Sequence, residues 1–149
     1  MKRPAWDEYF LNIAKIVATR STCLRAHHGA VIVDKYRRIL GTGYNEAPAG
    51  MKGCAEVGCQ IVNRPDYGPS CVRAPHAEIN ALFYLNSLNN HGLATTIYIT
   101  GTPCLICLEY ILKFGIKRIV CAGKYNDQPS AFREALLNAW GATITYLEI

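Results

Sequence analysis

Charge is scarce in this chain, and negative charge scarcest. Asp and Glu number 11 against 16 Lys and Arg, and charged residues make up 18% of the 149. With hydrophobic residues at 50%, so few charges exclude an intrinsically disordered chain. Long apolar runs are missing as well. No segment approaches the ~20 residues that span a bilayer, which excludes a transmembrane helix. The N-terminus, MKRPAWDEYF, lacks the apolar stretch and small-residue cleavage site of a signal peptide. There is no Asn-x-Ser/Thr sequon, no internal repeat and no low-complexity tract. These absences predict one cytoplasmic domain over residues 1–149, long enough to build its core without staples.

Cysteine is in surplus, with seven residues. An odd count without an export signal argues against a disulfide framework and for metal binding or catalysis. The net charge of +5 and pI of about 8.9 suit an anionic partner, nucleotide or nucleic acid, without choosing between them.

Trp6, Tyr9, Phe10, Ile13, Ile16 and Val17 recur at helical spacing and predict an amphipathic helix over 6–19. Residues 29–34 and 38–44 read as a hairpin around the turn 35–37. Residues 45–75 are rich in Gly, Pro, Asn and Cys and show no period. A loop that long inside a compact domain is expected to be functional. Beyond it the pattern predicts a helix over 76–88 and a strand over 95–100. A helix opened by Pro103 and stopped by Gly115 follows, then a strand over 117–122. The last pair is a helix over 130–140 stopped by Gly141 and a strand over 142–147. Alternation of this kind predicts parallel strands with right-handed crossovers. The fold class expected is α/β, a five-stranded mixed sheet with helices on both faces in three layers. Phe83 and Tyr84 read as core, and Cys121, mid-strand, as a small buried hydrophobe.

Two motifs carry chemistry. His76-Ala77-Glu78 opens one predicted helix and Pro103-Cys104-Leu105-Ile106-Cys107 opens another. The three-residue spacing puts both cysteines on one face of a first turn. A helix N-terminus favours the thiolate, the form that binds metal. One imidazole and two thiolates suit zinc and leave a fourth tetrahedral position for water, as in catalytic rather than structural sites. Bound zinc lowers the pKa of such a water to roughly 7. Glu78 stands two residues from His76 and is placed to move a proton. The order H-x-E…P-C-x-x-C is that of the zinc-dependent base deaminases. The plainer reading, a capped helix plus core cysteines, has to explain the two motifs separately.

With these motifs the chain resembles the cytidine/deoxycytidylate deaminase superfamily, and within it the deoxycytidylate (dCMP) deaminases. The matching residues are 21–25 (STCLR), 29–33 (GAVIV), 43–45 (GYN) with Pro48 and Gly50, and 71–73 (CVR). They continue through His76-Ala77-Glu78 with Asn80 and Ala81, Pro103-Cys104…Cys107, 115–118 (GIKR) and 125–127 (YND). The resemblance implies the cytidine-deaminase-like α/β/α fold and hydrolysis of dCMP to dUMP and ammonia, supplying dUMP for dTMP synthesis. It implies that water attacks C4 of cytosine while Glu78 shuttles the proton to N3 and then to the departing amine. It also implies substrate contacts: Asn45 at the sugar, the Ala77 N–H at the pyrimidine carbonyl, and Tyr125 on the base. Arg25 would meet an anion, either the substrate phosphate or an effector triphosphate.

A homo-oligomer, often a hexamer, activated by dCTP and inhibited by dTTP is implied too. Gly43, Tyr44 and Glu46 fall in the effector region, with Glu46 where Gly is usual. Some dCMP deaminases carry a second, structural zinc, and Cys23 and Cys54 fall at its ligand positions. Cys59 and Cys71, in the same irregular stretch, complete four thiolates, with His27 and His28 as alternative ligands.

Rival readings share parts of this pattern. A tRNA adenosine deaminase has both motifs but a short connection where this chain has residues 46–75. Deaminases of free cytidine usually carry Cys in place of His76. A polynucleotide cytidine deaminase needs basic residues interleaved with aromatics, and only 35–38 (KYRR) offers that. A non-catalytic zinc module has no use for Glu78.

Overall fold

Alternation along the strands sends apolar side chains to both sides of one sheet. The computed structural model describes residues 1–65, 68–123 and 130–149. Helix α1 (Trp6–Ala18) leads into strands β1 (Gly29–Asp34) and β2 (Ile39–Tyr44), followed by a short helix α2 (Cys54–Val57). Strands β3 (Ile61–Arg64) and β4 (Gly68–Cys71) form a small antiparallel sheet of their own. The rest alternates: α3 (Ala77–Ser87), β5 (Ala94–Ile99), α4 (Leu105–Lys113), β6 (Arg118–Ala122), α5 (Ala131–Trp140) and β7 (Thr143–Leu147). The main sheet has the order β2-β1-β5-β6-β7. Strand β1 runs antiparallel to β2 and β5, while β5, β6 and β7 are parallel. The expected five-stranded mixed sheet is therefore present.

Ala30, Ile32, Ile97, Ile99, Ile119 and Cys121 face one helical layer. That layer presents Ala81, Leu82 and Leu85 from α3, Leu108, Ile111 and Leu112 from α4, and Leu136 and Leu137 from α5. Val31, Val33, Tyr98 and Val120 face the other side, where α1 buries Phe10, Leu11 and Ala14. All six positions of β1 are buried. Cover on both faces explains why its sequence is an apolar run rather than an alternation.

Two expectations need correction. Residues 45–75 are not without structure, because they hold α2 and the β3–β4 pair. Four-residue elements are too short to print a period, and β3 is exposed at three of its four positions. Phe83 and Tyr84 are not core residues, being 68% and 53% exposed. Helix α3 turns Ala81, Leu82 and Leu85 inward, and the successive pair 83–84 falls on the outer face.

Close approach, rather than turn geometry, fixes Gly43. A Cβ there would collide with the Ala77 carbonyl oxygen and the Ala81 amide nitrogen of α3. Gly43→Ala is expected to cost about 1–3 kcal/mol by overpacking. Gly92→Ala, with open space around it, should stay within about 0.5 kcal/mol of wild type. Equal denaturant midpoints for the two variants would refute the helix–strand contact.

An ion pair ties α1 to the sheet. Arg118 Nη2 donates to Asp7 Oδ2 at 2.6 Å and Nη1 to Oδ1 at 2.8 Å, and the Tyr98 hydroxyl donates to Oδ1 at 2.8 Å. The Arg118 hydrogen bonds hold the Asp7 carboxyl below its ordinary 3.8. A lowered folded pKa gives stability that is complete above the ordinary value and lost as pH falls through the folded one. Asp7→Asn should therefore cost up to about 1 kcal/mol at pH 7. Its gap to wild type should close below pH 3.8 in urea melts; an unchanged gap there would exclude the pair as a stabilising contact.

Candidate active site

Two helix starts meet at the site. His76 is the N-cap of α3 and Cys104 the N-cap of α4, both with extended backbone (ψ 155° and 167°). Pro103 lies one residue ahead of the cap, so it delivers Cys104 rather than opening the helix. Cys107 is the third helical residue of α4 and buried. His76 Nδ1 lies 3.6 Å from Cys104 Sγ and 3.4 Å from Cys107 Sγ. The ligand atoms of His76, Cys104 and Cys107 all fall within 4.8 Å of one another.

Charge is concentrated here. Hydrogen bonding to Cys107 and His76 pulls the Cys104 thiol down to about 3, and sharing that bond pushes Cys107 up. The bond to Cys104 in turn raises the His76 imidazole. Glu78, in the first turn of α3, is 5% exposed, and burial raises its carboxyl. One borderline nitrogen and two sulfurs converging without a disulfide are a donor set that fits zinc with one position open.

A cavity opens onto these residues, lined by Arg25, His28, Asn45, Ser70 and Thr102 as well as His76, Glu78 and Cys104. Asn45 is buried, and both ends of its amide hold the segment 26–28 in place. Its Oδ1 accepts from the His28 N–H at 2.8 Å, and its Nδ2 donates to the Ala26 carbonyl at 2.8 Å. Arg25 reaches across to β4, with Nη1 and Nη2 each 3.2 Å from the Pro69 carbonyl oxygen. Ala77 is fully buried at the first position of α3. Tyr125 lies outside the described residues.

A second cluster brings together Cys54, Cys59 and Cys71, again within 4.8 Å, with Cys54 Sγ 3.7 Å from Cys71 Sγ. Burial pushes Cys54 up to about 12. Burial also raises Cys71, but N–H groups of Arg73, Gln60 and Ala74 outweigh it and hold the thiol near 7. The expected four-thiolate set is not assembled. Cys23 is outside that group; it lines the cavity beside His76, its sulfur accepting from the Arg25 N–H at 3.4 Å. His27 Nε2 sits 3.1 Å from the Cys23 carbonyl, closing a local turn, and neither it nor His28 joins the cluster.

In the stretch 43–46, Gly43 packs on α3 and the Tyr44 carbonyl accepts from Asn80 Nδ2 at 2.7 Å. Glu46 accepts from Thr22 Oγ1 at 2.6 Å and from the Ala47 N–H at 2.9 Å. Sequence reasoning gave Ser21, Thr100 and Thr102 no role. Ser21 Oγ donates to the Asn45 carbonyl at 2.7 Å, and Thr100 Oγ1 accepts from the Gly29 N–H at 3.0 Å. Isolated hydroxyl residues leave no periodic signal, so only their contacts reveal them.

Residues 4–123 match the cytidine and deoxycytidylate deaminase zinc-binding region. The chain belongs to this family. A deoxycytidylate deaminase of Mycobacterium phage D29 is 45% identical over 126 residues, 80% of this chain and 96% of that protein. ComE operon protein 2 of Bacillus subtilis is 35% identical over 149 residues, covering all of this chain and 75% of that one. The solved structure of the dCMP deaminase of cyanophage S-TIM5, in complex with dCMP and dUMP, shares the fold. Its TM-score is 0.74 at 22% identity, over 99% of this chain and 100% of that one. The matched zinc-binding region contains both the His76 and the Cys104–Cys107 motifs, so zinc is the metal that this deaminase fold holds.

Asn45→Ala removes two part-buried hydrogen bonds, to the His28 N–H and the Ala26 carbonyl, which should cost about 1 kcal/mol. Asn45→Asp keeps the acceptor for His28 and should lose less. A denaturant series in which both variants match wild type would remove Asn45 from the cavity wall.

Proposed function

We propose that this chain is a zinc-dependent hydrolase that converts dCMP to dUMP and ammonia, supplying dUMP for dTMP synthesis. The observation that carries the reading is Glu78: a buried carboxylate, in a cavity, beside His76, Cys104 and Cys107. Those three residues hold the metal. When bound, zinc supplies Lewis acidity and brings the pKa of a water to roughly 7. Glu78 takes a proton from the attacking water and gives it to N3 of cytosine. The carboxylate then takes the proton of the new C4 hydroxyl and hands it to the amine as the C4–N4 bond breaks, so that the C4 carbonyl of dUMP forms and ammonia leaves. Burial suits Glu78 to this, because a pKa raised above the ordinary carboxylate value makes the group a better proton acceptor.

Recognition falls to the rest of the cavity. The Ala77 N–H faces the pyrimidine carbonyl, Asn45 orients the wall beside the sugar, Tyr125 covers the base, and Arg25 meets the 5′-phosphate. The relatives named deoxycytidylate deaminase and the cavity position of Arg25 support this reading. Residues 46–75 supply the wall at Pro69, Ser70 and Cys71.

A second, structural zinc belongs to Cys54, Cys59 and Cys71, supported by three converging sulfurs and by N–H groups aimed at Cys71. The reading extends to a cytoplasmic homo-oligomer, a hexamer, activated by dCTP and inhibited by dTTP. Of the effector stretch, Gly43 and Glu46 are committed to internal contacts, which leaves the half-buried Tyr44 ring to meet an effector.

Ammonia release from dCMP tests the activity. Glu78→Gln should keep its zinc and lose about 10²–10⁴-fold in kcat. Undiminished turnover in that variant would sink the mechanism. An inert dCMP alongside a deaminated tRNA anticodon stem-loop would hand the assignment to the adenosine deaminases.

A further inference from the structure

We propose that the three-cysteine cluster shapes the substrate cavity, with Cys54 and Cys59 acting as positioning residues for dCMP through the wall formed by Pro69, Ser70 and Cys71. This inference rests on the second-zinc reading above. Cys71 belongs to both places: its sulfur joins Cys54 and Cys59, and the residue lines the catalytic cavity with Pro69 and Ser70. Strands β3 and β4 form a separate two-stranded sheet, and Ile61 and Val62 are 46% and 37% exposed. A two-stranded hairpin of this length is marginal by itself.

What fastens it is short and polar. The Val72 N–H donates to the Gln60 carbonyl at 2.9 Å, and Arg73 Nε donates to the Gly58 carbonyl at 3.0 Å. The two bonds tie the segment leaving the wall to Gly58 and Gln60, on either side of Cys59. At the other end Arg25 clasps the Pro69 carbonyl. A metal on the three sulfurs clips Cys71 to α2 and holds Ser70, 5% exposed, in the cavity face.

Chemistry and binding separate in this arrangement. His76, Glu78, Cys104 and Cys107 stand on α3 and α4, whose inner faces pack into the main core. Undoing the clip moves the wall and the Arg25 clasp but leaves those helices seated. The loss then appears as weaker substrate binding in ground and transition states alike, which raises KM and spares kcat.

Cys59→Ala is the test, since Cys59 does not line the cavity. The purified variant should lose one of two zinc ions per chain. KM for dCMP should rise about tenfold while kcat falls less than about threefold. Calorimetric affinity for dCMP, measured on a Glu78→Gln background in which turnover is slowed, should fall by the same factor. In cobalt-loaded protein, part of the thiolate-to-metal absorption should vanish with the substitution. Cys59→His, which restores a ligand, should recover zinc, KM and affinity, and controls for misfolding. A Cys59→Ala protein that has lost one zinc yet keeps wild-type KM and affinity overturns the inference alone. A wild type holding one zinc overturns the second-zinc reading and the inference with it, leaving the catalytic assignment standing. Equal losses in kcat and catalytic-site zinc would also overturn it, because the cluster would then act on the chemistry itself.

Discussion

One imidazole nitrogen and two sulfurs must meet within about 4 Å, and that requirement organises the molecule around it. The two helices that bring them, α3 and α4, come from opposite sides of β5 in sequence. Their N-termini converge only because β5 and β6 are parallel and the crossover between them returns α4 to the face where α3 already lies. The glycine at 43 lets α3 sit directly on β2, which sets the height of His76 above the sheet. The sheet is thus the jig, and the metal-binding donors are the parts it aligns.

Most of this architecture was legible in the sequence. Each long element came from a periodic run with a recognisable stop, such as Gly115 after α4 and Gly141 in the left-handed conformation after α5. The converging donors His76, Cys104 and Cys107 were legible for a different reason: fixed spacing at helix starts is a local property, so sequence distance is a good proxy for geometry there. The hairpin β3–β4 was not legible, because it has no hydrophobic face to advertise. Phe83 and Tyr84 misled because residue type predicts burial less well than helical phase does. The second cluster was half legible. Cys54, Cys59 and Cys71 do converge, but Cys23, distant in chain, stands outside their group, which no pattern within 45–75 discloses.

Polar groups at the cavity serve the backbone as much as any ligand. Asn45 spends its amide on His28 and Ala26, Arg25 spends its guanidinium on Pro69, and Glu46 spends its carboxylate on Thr22 and Ala47. Buried polar side chains need such partners to offset desolvation. The same bonds fix loop segments that have little apolar surface to pack. Rigidity at the cavity rim therefore comes from a web of short hydrogen bonds, while rigidity beneath it comes from packing.

The separateness of the small sheet carries a last implication. Strand β1 is buried along its full length, and a change there is felt by both helical layers. Strands β3 and β4 share no ladder with that sheet. Lineages can therefore lengthen, trim or re-equip this appendage, swapping sulfur for other ligands, without renegotiating the core. The wall that Pro69, Ser70 and Cys71 add to the cavity is thus carried by the part whose remodelling the fold tolerates best.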